Sequence, residues 1–244
     1  MKLHRALPIV AVIPALLLAS ACSGKSEESG DKKPKATAGS ADGKNSAEAK
    51  RLGALDAEQL EKAALTGRAA GFDAKKVARS EVEAGKGMRS DTKACQPLAS
   101  LIGGFTHLPA VGTAHRTLQP VDAKNATVGS MWLASHSEAD AGRVMTELRA
   151  AVTACPKGFK TLGLTYGKVE GLPAPKLGAG ADETVAYRIT GNIGKQKVPM
   201  TYTVVRSGGV VAAFYGVNML DPKHAAIPEP VVEAQLKRLA DVRG

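Results

Sequence analysis

The chain has 244 residues, a net charge of +10 and 4% aromatic residues. Its basic residues are spread from Arg68 to Arg238 with no stacking aromatic series among them, which argues against a nucleic-acid partner. Such a surface is drawn weakly to anionic lipid headgroups or acidic wall polymers.

The chain opens with Lys2, His4 and Arg5, followed by an uncharged apolar run from Ala6 to Ala21 that ends in small residues. That is the layout of a secretory signal peptide. The run is shorter than the roughly 20 residues a membrane span needs, and Pro8 and Pro14 interrupt it. We therefore read residues 1–21 as a cleaved signal, with an uncleaved anchor helix as the alternative. "LASAC" at Leu18 to Cys22 resembles a lipobox, an aliphatic residue and two small ones before a cysteine. The resemblance implies a diacylglyceryl group on the Cys22 sulfur and cleavage before it. Such a lipid anchors the chain to the extracytoplasmic side of the cell membrane. A free thiol at Cys22 is the alternative.

Residues 22–51 are rich in Ser, Gly, Ala, Lys, Glu and Asp, and residues 23–50 contain no Val, Ile, Leu, Met or aromatic residue. Such a segment buries too little apolar surface to offset its ordering entropy, so it reads as a disordered tether. Residues 52–244 fit one domain.

Within that domain, "LDAEQLEKAAL" (Leu55 to Leu65) predicts an amphipathic helix with Asp56 as N-cap. "KKVARSEVEA" (75–84) alternates loosely and predicts a strand. "ACQPLASLIGG" (94–104) predicts a short helix closed by glycine. Strands follow at 114–121 and 127–137. The second places Val128, Ser130, Trp132, Ala134 and His136 on one face and Met131 and Leu133 on the other. Ser137, with Asp140 three residues on, opens a helix running to Cys155. Four β-rich runs come next, with glycine turns at 191–194 and 207–209. "PEPVVEAQLKRLADV" closes the chain as a helix with Val231, Val232, Leu236 and Leu239 inward. These elements predict an α+β fold, a largely antiparallel sheet with helices packed on one face.

With Cys22 assigned to lipid, Cys95 and Cys155 remain. An even remainder in an exported chain favours a disulfide between them over two buried thiols. No metal site is expected, because His107, His115, His136 and His224 show no ligand spacing. No cofactor motif is present. Catalytic patterns such as G-x-S-x-G are also missing. Ser130 and His136 with Trp132 between them form the most suggestive set. Six residues of strand separate the two polar groups by about 20 Å, so core and surface roles explain them better than catalysis. Asp140 and Glu147 read as helix solvation. Asn125-Ala126-Thr127 matches a glycosylation acceptor by chance.

The opening helix "LDAEQLEKAAL", "CQPLA" at Cys95 to Ala99, the strand "GSMWLAS" and the helix "VMTELRAAVTACPKGF" resemble PknH-like extracellular sensor domains of actinobacterial lipoproteins. The resemblance implies an extracytoplasmic α+β domain with structural disulfides and a ligand-binding cleft. The expected function is a non-enzymatic, sensor-like or ligand-binding domain. A lipid or glycolipid carrier and a structural partner of an envelope complex are the alternatives. The expected partners are the membrane, through the lipid on Cys22, and a small ligand or an envelope protein.

Overall fold

The computed structural model describes residues 39–194 and 196–243. The expected signal peptide and Cys22 lie outside the described residues, as does the expected tether up to residue 38.

Helix α1 (Gly39–Leu52) stands where the sequence predicts the last part of the tether. Ala47 and Ala49 are strong helix formers, and Glu48 pairs with Arg51 one turn on, Nε to Oε2 at 2.8 Å. Ala49 is buried. The segment therefore orders although it lacks a large apolar residue before Leu52. Helix α2 (Ala57–Ala63) begins at the predicted cap. Asp56 accepts from the Gln59 amide, and the Gln59 side chain accepts from the Asp56 amide, both at 2.9 Å.

Strands β1 (Gly67–Ala69) and β2 (Phe72–Lys76) form a hairpin. The strand expected over 75–84 is not there. Strand β2 ends at Lys76, and helix α3 (Arg79–Gly85) takes the rest, because Arg79, Glu81, Glu83 and Ala84 favour helix and only Val77 and Val82 favour strand. A single turn at Lys93–Cys95 leads into α4 (Gln96–Ile102). Strands β3 (Gly112–Pro120) and β4 (Thr127–Ser135) follow, then α5 (Glu138–Ala154), where Ser137 Oγ accepts from the Asp140 amide at 3.1 Å. Strands β5 (Phe159–Thr161), β6 (Leu164–Leu172), β7 (Glu183–Ile193), β8 (Gln196–Ser207) and β9 (Val210–Asn218) precede the closing helix α6 (Glu229–Arg243).

All nine strands join one antiparallel sheet in the order β1-β2-β3-β4-β9-β8-β7-β6-β5. Two meanders thus meet at a central seam, β4 against β9. Helix α5 carries the chain from the seam to the far edge at β5.

Helices cover both faces of this sheet, not the single face expected. On one side Leu98 and Leu101 of α4 and Val144, Met145 and Leu148 of α5 pack with Trp132, Tyr187, Tyr202 and Val204. On the other, Leu60 of α2 and Val232, Leu236 and Leu239 of α6 pack with Met131, Leu133, Val205 and Phe214. The reason lies in the central strands. Val210 to Phe214 is apolar at every position and buried throughout, so a single layer of helices would leave half of it wet. The Cys95–Cys155 disulfide is present, with Cα atoms 6.0 Å apart, and ties the turn before α4 to the end of α5.

Candidate ligand-binding cleft

One row of residues runs across the sheet on the α4–α5 side. Thr117 of β3 lies opposite Ser130 of β4, Ser130 opposite Tyr215 of β9, Tyr215 opposite Tyr202 of β8, and Tyr202 opposite Tyr187 of β7. The Tyr187 and Tyr202 rings stack with centroids 5.0 Å apart and planes 2° from parallel. Tyr215 leans on Tyr202 at 5.3 Å and 44°. Trp132 meets Tyr202 edge-on at 6.5 Å. Tyr166 enters from β6, opposite Gly191, whose missing side chain makes room for its ring. A Cβ there would stand 2.9 Å from Met200 Cε and 3.4 Å from Tyr166 Cε1. All four tyrosines of the chain and its one tryptophan therefore gather in one place.

Tyr166, Tyr202, Tyr215 and Trp132 line a cleft of about 400 Å³, with Met200 and Ser130 beside them. Val77, Glu81 and Val82, from α3 and the residues before it, form part of its rim, and the end of α4 forms another. Burial pushes the phenols of Tyr187 and Tyr202 well above the ordinary tyrosine range, and it raises those of Tyr166 and Tyr215. For Tyr202 the neighbouring phenols of Tyr187, Tyr215 and Tyr166 add to the effect. The phenols are thus neutral O–H donors. The buried Tyr187 hydroxyl and Trp132 indole N–H have no hydrogen-bond partner among the described residues. His115, also on the wall, donates from Nε2 to the Gly104 carbonyl at 2.8 Å; burial lowers its pKa and keeps it neutral.

A larger cleft of about 620 Å³ lies between α3, the 86–89 loop and the 105–113 segment. Arg79, Lys86, Arg89 and His107 line it, with no aspartate or glutamate. Nearby carboxylates are held by Lys86–Glu83, Lys76–Glu61 and His107–Glu147; Arg79 and Arg89 take part in no ion pair among the described residues. A smaller space of about 210 Å³ sits between the two, sharing Val77, Val82 and His115 with the tyrosine cleft and Arg79 and Thr113 with the cationic one.

Of the residues singled out in the sequence, Ser130 and Trp132 come together in the tyrosine cleft. His136 does not join them. It sits beyond the end of β4, buried, with Nε2 3.1 Å from Thr106 Oγ1, and its pKa is lowered by burial. Asp140 accepts from the hydroxyl of the cap residue Ser137 and pairs with Arg143, whereas Glu147 receives His107 Nε2 at 2.7 Å beside the cationic cleft. Asn125 Oδ1 accepts from the Thr127 amide at 2.9 Å and shapes the β3–β4 turn. His224 pairs with Asp221. Among the described residues no three His, Cys, Asp or Glu side chains gather as a metal would require, and no helix is long and apolar enough to cross a membrane.

The tyrosine row escaped the sequence reading, although a signal for it exists. Ile193 pairs with Gln196 and Ser207 with Val210, and each antiparallel pairing sets opposite each other residues equally distant from its first pair. Tyr187 and Tyr202 satisfy this for the first pairing, Tyr202 and Tyr215 for the second.

No protein-family model matches the chain, and no curated protein is similar to it in sequence. Solved structures similar to the chain include two mycobacterial proteins. One is the extracellular domain of PknH from Mycobacterium tuberculosis, 10% identical, with a TM-score of 0.38 over 78% of this chain and 92% of that one. The other is an uncharacterized protein, the Rv0999 ortholog, from Mycobacterium smegmatis, 14% identical, with a TM-score of 0.40 over 75% of this chain and 97% of that one. Likeness of that extent says nothing of what this chain binds.

Proposed function

We propose that this chain is a membrane-anchored extracytoplasmic lipoprotein whose domain binds a ligand in the tyrosine cleft without transforming it. The observation that carries this reading is the convergence of three of the four tyrosines and the lone tryptophan on one cleft, with the fourth, Tyr187, stacked on Tyr202, in a chain with few aromatic residues. Concave sites with aromatic walls and a few polar groups are where proteins hold small molecules. A lipid carrier fits less well. An acyl chain would leave the phenol groups on the wall unpaired, and each unpaired buried donor costs about 1–3 kcal/mol. The lipid on Cys22 supplies the anchor. Cys22→Ala is expected to abolish membrane attachment or leave the precursor uncleaved, as read by fractionation and detergent partitioning. Attachment with normal processing would contradict the lipobox.

Native mass spectrometry of the full chain purified from its own cell envelope tests the cleft. A reproducible added mass that Tyr202→Ala removes supports ligand binding. A bare mass from several preparations counts against it. One observation favours a protein partner as a second reading: Val121, Val128, Met219 and Leu220 are exposed at the same end of β3, β4 and β9. Cross-linking from Leu220 in intact cells distinguishes it.

A further inference from the structure

We infer that the tyrosine and cationic clefts act as one composite site for a sugar bearing a phosphate or carboxylate group. This assignment rests on the ligand-binding reading above and names the ligand's chemistry. The ring belongs in the tyrosine cleft, and the anion on Arg79, Lys86 and Arg89.

The tyrosine cleft carries an excess of donors on apolar walls. The phenols of Tyr166, Tyr202 and Tyr215 line it as neutral O–H groups with a proton to give. Ser130 is on the same wall, and the Trp132 ring lies beside them. A purely apolar guest leaves these donors unpaired, and sites built of such donors reject it. A sugar ring meets both demands. Its C–H faces lie against Tyr and Trp rings, and its oxygens accept from the hydroxyls. A sugar's own O–H groups need acceptors, and Glu81 on the rim provides a carboxylate.

The charge comes from across α3. Arg79 stands between the smaller space, where Glu61 lies beside Lys76, and the cationic cleft, where with Lys86 and Arg89 it lines a wall that holds no carboxylate. Guanidinium groups free of ion pairs among the described residues are suited to bidentate contact with phosphate or carboxylate. The shared walls at Val77, Val82, His115, Arg79 and Thr113 make the two clefts neighbours beneath one short helix.

The test applies the full chain to an immobilised panel of neutral, uronate-bearing and phosphorylated glycans, and titrates hits in solution against Trp132 fluorescence, the single tryptophan signal. Binding confined to acidic members is expected, the uronate and phosphate arms telling the two anions apart. The double variant Arg79→Gln/Arg89→Gln, both at exposed positions, is expected to weaken it at least about tenfold, and Tyr202→Phe to weaken uronate and phosphate members alike. Equal binding of neutral members, or indifference to the arginine pair, overturns the composite site. A blank panel beside a non-sugar mass in the native spectrum overturns the sugar assignment and leaves ligand binding standing. A blank panel with a bare native mass overturns both.

Discussion

Arg116 lies in β3 on the side of α2, only 4% exposed. Its Nε donates to the Leu65 carbonyl at 2.7 Å, and its Nη2 meets Glu61 Oε2 at 2.9 Å. One side chain thus satisfies the end of α2 and holds a carboxylate against the sheet. Replacing it with leucine leaves the carbonyl and the carboxylate without their partner. Because Glu61 is partly exposed, water recovers some of that loss. Arg116→Leu is expected to cost about 2–4 kcal/mol in urea denaturation. A loss below about 0.5 kcal/mol, the range of an ordinary surface change, would show the network to be inert. Buried His136 and half-buried His115 set a pH dependence. Burial lowers the pKa of His115 and His136 below the usual 6.5, so the native state binds fewer protons than the unfolded chain. Their contribution is complete above pH 6.5 and is lost as the pH falls below it toward the lowered native values. The urea midpoint is expected to drop on acidification from neutrality, and His136→Gln to flatten that drop. A midpoint that rises on acidification would contradict the sign.

At the scale of elements, α3 is the weakest part of the structure. It buries no residue and lacks a side-chain cap at its start. What holds it is a backbone approach. A Cβ on Gly103 would sit 2.2 Å from the Gly85 carbonyl oxygen, and one on Gly85 would sit 2.1 Å from that of Gly103. Gly103→Ala must therefore push α3 off the end of α4. Faster amide exchange over residues 79–86 is expected, with the core protected as before; unchanged exchange there would mean that other contacts hold the helix. The same elements show what a sequence reveals. The caps at Asp56 and Ser137, the Gly208–Gly209 turn and the inward residues of α6 were legible because each is a local pattern. Helix α3 was not, since ten residues with two valines satisfy a strand pattern as readily as a helical one. Helix α1 was hidden because its order depends on burying Ala49 against the domain. The second helical layer could have been read from Val210 to Phe214, where an unbroken apolar run contradicts a strand with one wet face. Ser130 and Trp132 could be placed on one face by period, but only the pairing of β4 with β9 brings them to the tyrosines.

At the scale of the whole molecule, the Cys95–Cys155 bond closes a loop between residues 60 apart and joins α4 to α5 over the tyrosine face. On the chain-entropy model that loop is worth about 4 kcal/mol. Cys95→Ala/Cys155→Ala is expected to lose stability on that order in urea and to melt earlier, while the α2–α6 side keeps its packing. An unchanged melting temperature would show that the helices alone hold that layer. The seam between the meanders has a different consequence, one of timing. Within each meander the strands are neighbours in sequence and can zip through short turns. Thr127 and Asn218, bonded across the seam, are 91 residues apart. Contacts of such separation form slowly, because the entropy of closing the loop is lost before any pairing compensates for it. Until β9 reaches β4, each half presents an apolar strand as an open edge, and the partly folded chain is at its most prone to stick to its own kind.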